Sequence, residues 1–276
     1  MRELLDFLPP AMPITISNSS DSPTPHPALG LQDGSQVLAA IEQRDRVWWI
    51  DLQDLRSALL EKMAKMMQET FPTLKYLRLC AADEPPETQA AAPVLLPGGF
   101  LGGSAPRLET LKLKGIPFPE LSKLLLSTND LVHFVLEKIP DSGYISPEAM
   151  IAGLSTCTKL ERLVIEFSSE DPPRPWPEGG PDGPDPTSQE ESITSVTLAR
   201  VSLPVLNHFN FDGNGRYFDA FASRIECLLL ACDSKPFSQH DTSVIRHVHY
   251  EASFTKNGFS SRYCSRPLII PVLDDE

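Results

Sequence analysis

A short pattern, L-x-x-L-x-L, returns six times along the chain and restricts its folding options more than any other feature. Three copies are clear. FPTLKYLRL puts Leu74, Leu77 and Leu79 on the template, APRLETLKL puts Leu108, Leu111 and Leu113, and LPVLNHFNF puts Leu206, Phe209 and Phe211. In each of these a proline stands two residues ahead of the first apolar position. Weaker copies place Val47, Ile50 and Leu52, then Leu131, Phe134 and Leu136, then Leu160, Leu163 and Ile165. A unit this short cannot bury its apolar side alone, so copies of it must stack on one another.

The spacing between copies is 27, 34, 23, 29 and 46 residues. Leucine-rich repeats span about 20–29 residues, so three gaps fit and two are long. Both long gaps hold a recognisable insertion. One runs from Ala81 to Gly103 and is rich in Ala, Pro and Gly; the other, about 171–190, has seven prolines within DPPRPWPEGGPDGPDPTSQ. Proline removes an amide donor and glycine raises the entropy cost of ordering, so neither stretch is expected to hold a regular element for long. Without them both gaps return to roughly one repeat.

Helices are expected between the strand-like copies. Ser57 to Gln68 brings Leu59, Leu60, Met63, Met66 and Met67 to one helical side. Ser146-Pro147-Glu148 offers an N-cap and a proline in the first turn, followed by Met150, Ile151 and Leu154. Pro119 to Ser127 is long enough for two turns. The expected fold class is therefore α/β, a leucine-rich-repeat-like solenoid of short parallel strands alternating with helices over residues 1–230. A non-repetitive α/β domain whose strands share a leucine pattern is the alternative. Residues 231–276 match no repeat and are expected to be an irregular, divergent segment, either a terminal cap or the product of a shifted reading frame.

Composition excludes several functions. The chain has 276 residues and a formal charge of −13, which would repel a nucleic-acid backbone, so no nucleic acid is expected as a partner. No window approaches the roughly 18–20 apolar residues of a membrane span, and MRELLDFLPPAMP lacks a secretory apolar core. Five scattered cysteines with no C-x-x-C suit reduced thiols, so a cytoplasmic or nuclear protein is expected.

No enzyme, cofactor or metal is expected. The GGFLGG at Gly98–Gly103 lacks the lysine and the spacing of a phosphate loop and is read as a flexible insertion. Asp212-Gly213-Asn214-Gly215 begins like a calcium loop, but Arg216 and Tyr217 occupy the next required positions, and a polar turn after the strand accounts for it. His247 and His249 alternate on a strand without a Cys, Asp or Glu to complete a set. The run PPRPWP, Pro172–Pro177, has the form of a polyproline ligand but equally that of a spacer.

The functional surface follows from strand alternation. If the template residues point into the core, the intervening ones face the concave side. Stacking the repeats then aligns Trp49 and Asp51, Tyr76 and Arg78, Thr110 and Lys112, His133 and Val135, Arg162 and Val164, and His208 and Asn210. This mixture of aromatic, cationic and apolar groups suits an unknown protein target.

Three stretches, Met1–Ser17, Gln43–Leu79 and LGGSAPRLETLKLKGIPFPELSKLLLSTNDLVHFVLEKIPDSGYISPEAMIAGLSTCTKLERLVIEF, resemble the leucine-rich region of the F-box-domain proteins expanded in mushroom-forming fungi. SVTLARVSLPVLNHFNFDGNGRYFDAFASRIE, Ser195–Glu226, is similar to them too. The resemblance implies a ubiquitin-ligase substrate receptor, in which an N-terminal F-box docks on a Skp-type adaptor and the repeats hold the target. The residues before Leu8 are too few to supply the helices of an F-box, so the adaptor is expected as a partner only if an F-box lies upstream. An orphan or truncated repeat protein without a ligase role is the alternative.

Overall fold

Five copies of the template open on the same turn. The amide of Leu74 donates to the carbonyl of Phe71 (3.2 Å), Leu108 to Ala105 (3.1 Å), Leu131 to Thr128 (3.3 Å), Leu160 to Cys157 (3.1 Å) and Leu206 to Leu203 (3.3 Å). This is the first-to-fourth hydrogen bond of a β-turn, whose second position suits the fixed φ of proline. Pro72, Pro106 and Pro204 occupy that position, which explains the recurring proline. The first residue of every turn is buried, whether Phe71, Ala105, Thr128, Cys157 or Leu203.

The turns feed a sheet. The computed structural model describes residues 9, 12–18, 29–30, 34–83, 93–168, 200–227, 246–255 and 258–267. Among these the strands are β1 (Ile14–Ser17), β2 (Leu29–Gly30), β3 (Val47–Leu55), β4 (Tyr76–Ala81), β5 (Thr110–Lys114), β6 (His133–Ile139), β7 (Arg162–Phe167), β8 (Val201–Ser202), β9 (His208–Asn214), β10 (Ile225–Glu226), β11 (Arg246–Thr255) and β12 (Gly258–Pro267). The main sheet is open and ordered β12-β11-β9-β7-β6-β5-β4-β3-β1-β2. The eight strands from β9 to β2 are parallel, while β11 and β12 join as an antiparallel pair. Strands β8 and β10 form a separate parallel pair.

The joints between strands repeat in detail. The Lys75 carbonyl accepts the amides of Glu109 and Thr110, and that of Glu109 accepts Val132 and His133. Val132 accepts Glu161 and Arg162 in turn, and Glu161 accepts Asn207 and His208, all eight bonds at 2.8–3.1 Å. Strand exits repeat as well: two residues past the third template position, Asp54, Gly115 and Lys138 adopt left-handed φ values of 52°, 66° and 51°.

Helices α1 (Gly34–Ile41), α2 (Ser57–Met66), α3 (Leu121–Leu125), α4 (Pro147–Leu154) and α5 (Gly215–Ala222) lie between strands. Ser146 caps α4 by accepting the Ala149 amide at 3.2 Å, with Pro147 at the first helical position. Such a cap contributes about 1 kcal/mol. The eighteen template residues are all at most 4% exposed and share one core with Leu60, Met63, Leu124, Met150, Leu154 and Phe218 from the helices. The protein is thus an α/β structure with a mostly parallel sheet.

Three local expectations change. The glycine-flanked GGFLGG is no loose insertion: Phe100 and Leu101 sit in a tight turn with Leu101 at a left-handed φ of 55°, are fully buried like Leu96, and the Leu101 amide donates to the Met67 carbonyl at 2.6 Å. Apolar side chains flanked by glycine reach the core where the glycine-rich composition suggested a spacer. Asp212–Gly215 is no polar turn; β9 runs on to Asn214, whose Oδ1 then caps α5 by accepting the amides of Arg216 (2.9 Å) and Tyr217 (3.4 Å). The C-terminal stretch is not irregular over 246–255 and 258–267, because alternation in VHYEASF suits a strand, and Tyr250 and Ala252 bury themselves in the core with Phe209 and Phe218. The PPRPWP run, the 171–190 insertion and residues 231–245 lie outside the described residues.

A candidate interaction face on the sheet

Strand alternation sends the residues between template positions to the face opposite the leucine core. Register fixes who stands beside whom. One row runs Trp49, Tyr76, Thr110, His133, Arg162, His208; the next runs Asp51, Arg78, Lys112, Val135, Val164, Asn210. All twelve residues expected on the face are therefore brought together in two unbroken rows. Within a row, neighbouring strands lie roughly 4.7–4.9 Å apart, so successive side chains touch.

Burial divides these twelve. Asp51 (1% exposed), Val164 (3%), Val135 (5%) and Thr110 (7%) are buried by their neighbours and offer little surface themselves. Trp49, Tyr76, Arg78, Lys112, His133, His208 and Asn210 are half-buried, and Arg162 is exposed. Long side chains on adjacent strands cover the shorter ones between them, which is why Asp51, Thr110, Val135 and Val164 lose their exposure.

The face has an aromatic end and a cationic middle. At the β3–β4 end the Trp49 and Tyr76 rings stack with centroids 3.7 Å apart and planes 2° from parallel. The Lys112 ammonium lies 6.0 Å from the Tyr76 centroid, at the outer reach of a cation–π contact. In the middle, Arg78, Lys112, Lys114, His133, Glu137 and Arg162 line a cavity of about 370 Å³. That volume lies within the ordinary range for a small-ligand site. Asn210 Nδ2 donates to Glu166 Oε1 at 3.0 Å on the far side.

Charge in the middle is poorly balanced. Arg78 Nε stands 3.9 Å from Asp51 Oδ1, an ion pair longer than a hydrogen bond. Among the described residues Lys112, Lys114 and Arg162 make no ion pair. Burial, together with the Arg78 and Arg162 guanidinium groups, holds the Lys112 ammonium below its usual pKa. His133 is held low by burial and by Lys112, while its Nδ1 lies 3.3 Å from Thr110 Oγ1. His208 is likewise held low, by burial and by Arg162. Burial raises the Cys80 thiol, so this partly exposed cysteine is a weak nucleophile despite the nearby Arg78.

A third row escaped the reading of the sequence. Cys80, Lys114 and Glu137 pair in register one step beyond the template, as do Glu166 and Asp212. The template stops at its third apolar residue, yet β4, β5 and β6 continue past it; their alternation, extended by two residues, is the signal that marks this row. Among the described residues no group of three or more His, Cys, Asp or Glu could hold a metal, and no helix is long and apolar enough to cross a membrane. The side chains of His247 and His249 are outside what is described. No family model, no curated protein and no solved structure matches this chain.

Proposed function

We propose that the chain is a leucine-rich-repeat-like solenoid whose concave face holds a protein target without chemistry, as in the target-binding repeats of an F-box ubiquitin-ligase substrate receptor. One observation carries the reading. Six consecutive parallel strands present their intervening residues in unbroken register, with an aromatic stack beside Lys112 and Arg162, which make no ion pair among the described residues. Repeated joints and turns support the solenoid, since each unit contacts chiefly its neighbours. Aromatic residues and arginine are the types that dominate binding energy at protein interfaces. A Skp-type adaptor is a partner only where an F-box precedes the repeats, and the proposed setting is cytoplasmic or nuclear.

The test is charge reversal at Arg78, Lys112 and Arg162 together, with folding checked by circular dichroism. The reversed chain loses the proteins that the parent captures specifically from cells. Unchanged capture by a folded triple variant would sink the reading.

A further inference from the structure

We infer that the outer edge of β12 is a strand-addition site, which takes an acidic, extended segment of a partner protein as an eleventh strand of the main sheet. The site lies at the end of the sheet and does not depend on the open face between β3 and β9.

Backbone hydrogen bonding is the first half of the argument. An edge strand presents a row of amides and carbonyls that no neighbour satisfies, so it is a template for another chain. The main sheet has ten strands and two edges, β2 and β12. The β2 edge is two residues long and offers almost no ladder. Strand β12 spans ten residues, and its ten pairs with β11 run from Pro267 opposite Arg246 to Gly258 opposite Thr255 without a bulge. Among the described residues β12 pairs with β11 alone. Natural sheets blunt a long edge by shortening it, bulging it, or placing lysine or proline along it. From Gly258 to Pro267 there is no lysine, and the only proline is the last residue. At a rise of roughly 3.4 Å per residue, this leaves about 30 Å of regular ladder.

Charge selects the occupant. The hairpin from Arg246 to Pro267 has four basic residues (Arg246, Lys256, Arg262 and Arg266) against one acidic residue, Glu251, within a chain of net charge −13. Arg262, near the middle of the edge strand, is exposed. Among the described residues it makes no ion pair, although Glu251 stands opposite it in register. A second copy would bring the same basic edge to this one, and like charges on adjacent strands repel. The short β2 edge of a second copy cannot take β12 either. An acidic strand meets the edge with the opposite charge. Main-chain bonds then give affinity, and the charges along the strand give selectivity.

The experiment is calorimetric titration of the full chain at physiological salt with a capped peptide of alternating glutamate and valine, about eight residues long, an ordinary strand length. Two control peptides match its length. One alternates lysine and valine; the other alternates glutamate and proline, which keeps the charge but cannot form a ladder. Saturable binding of the glutamate–valine peptide is expected, with binding of either control about tenfold weaker or more. Amide hydrogen exchange along 258–267 slows when the peptide is bound. Arg262→Gln, which leaves Glu251 facing a neutral residue, weakens binding severalfold while circular dichroism stays that of the parent. The chain reversed at Arg78, Lys112 and Arg162 binds the peptide as the parent does. No saturation, equal binding of the glutamate–proline peptide, or unslowed exchange in β12 overturns strand addition. Equal binding of the lysine–valine peptide overturns the acidic partner. Loss of binding in the triple variant assigns the peptide to the open face and overturns the edge. Dimers of the chain that the peptide dissolves, seen by sedimentation, make a second copy the occupant and overturn the proposal.

Discussion

Phe211→Ala tests whether the molecule behaves as a stack of neighbours or as one cooperative block. Phe211 is fully buried on β9 and packs on Phe167 (centroids 6.1 Å), Tyr217 (5.7 Å) and Phe218 (5.2 Å). Removing a ring from such a site costs about 3–5 kcal/mol, a large share of the roughly 5–15 kcal/mol that holds a typical domain together. The loss falls at the C-terminal side of the sheet, whereas Trp48 and Trp49 report from β3, five parallel strands away. The third tryptophan, Trp176, is replaced by Phe in all samples so that fluorescence reads β3 alone. In a stack, stability is close to a sum of unit and nearest-neighbour contributions, so damage at one end need not reach the other. Urea unfolding followed by circular dichroism then shows an early phase in Phe211→Ala, while the tryptophan transition moves by less than half as much. Coincident transitions, shifted equally by both probes, would refute the solenoid and support a single two-state unit.

Two further outcomes follow from backbone conformation and from titration. Asp54→Gly raises stability by about 1 kcal/mol, since a left-handed residue with a Cβ is strained, while Gly115→Ala at the same point of its unit lowers it by a similar amount; melting curves showing the opposite signs would refute the equivalence of these exits. His133 and His208 titrate below the ordinary value near 6.5, so the unfolded chain takes up protons first and stability declines as pH falls through that value toward their depressed folded values. The fall in melting temperature between pH 7 and pH 5.5 is therefore shallower in His133→Gln, and an identical slope in parent and variant would count against burial among Lys112 and Arg162 as the cause.

Much of the sheet was legible because leucine spacing and burial are two views of one constraint. Every template residue from Val47 to Phe211 is buried, and the rows of intervening residues keep the register the alignment implies. The lead-in position was not legible, because Phe71, Ala105, Thr128, Cys157 and Leu203 share a place but no residue type. What they share is depth; Thr128 tolerates it by donating its hydroxyl to the Leu125 carbonyl at 2.8 Å. Helix α5 was hidden behind Asp212-Gly213-Asn214-Gly215, whose polar character suited a turn as well as it suits a strand end and a cap. On the candidate face, alternation identified the rows but not which members stay reachable. Asp51, Val135 and Val164 vanish because longer neighbours close over them, a tertiary effect that no local pattern encodes.

The joint between β7 and β9 has the same paired amide bonds as the joint between β5 and β6, although 46 residues separate its template copies against 23. Strand pairing is therefore indifferent to how much chain passes between partners. The register of β9 on β7 does not depend on the number of residues between Phe167 and Val201. The two rows of the face keep one phase across a short connection and a long one alike.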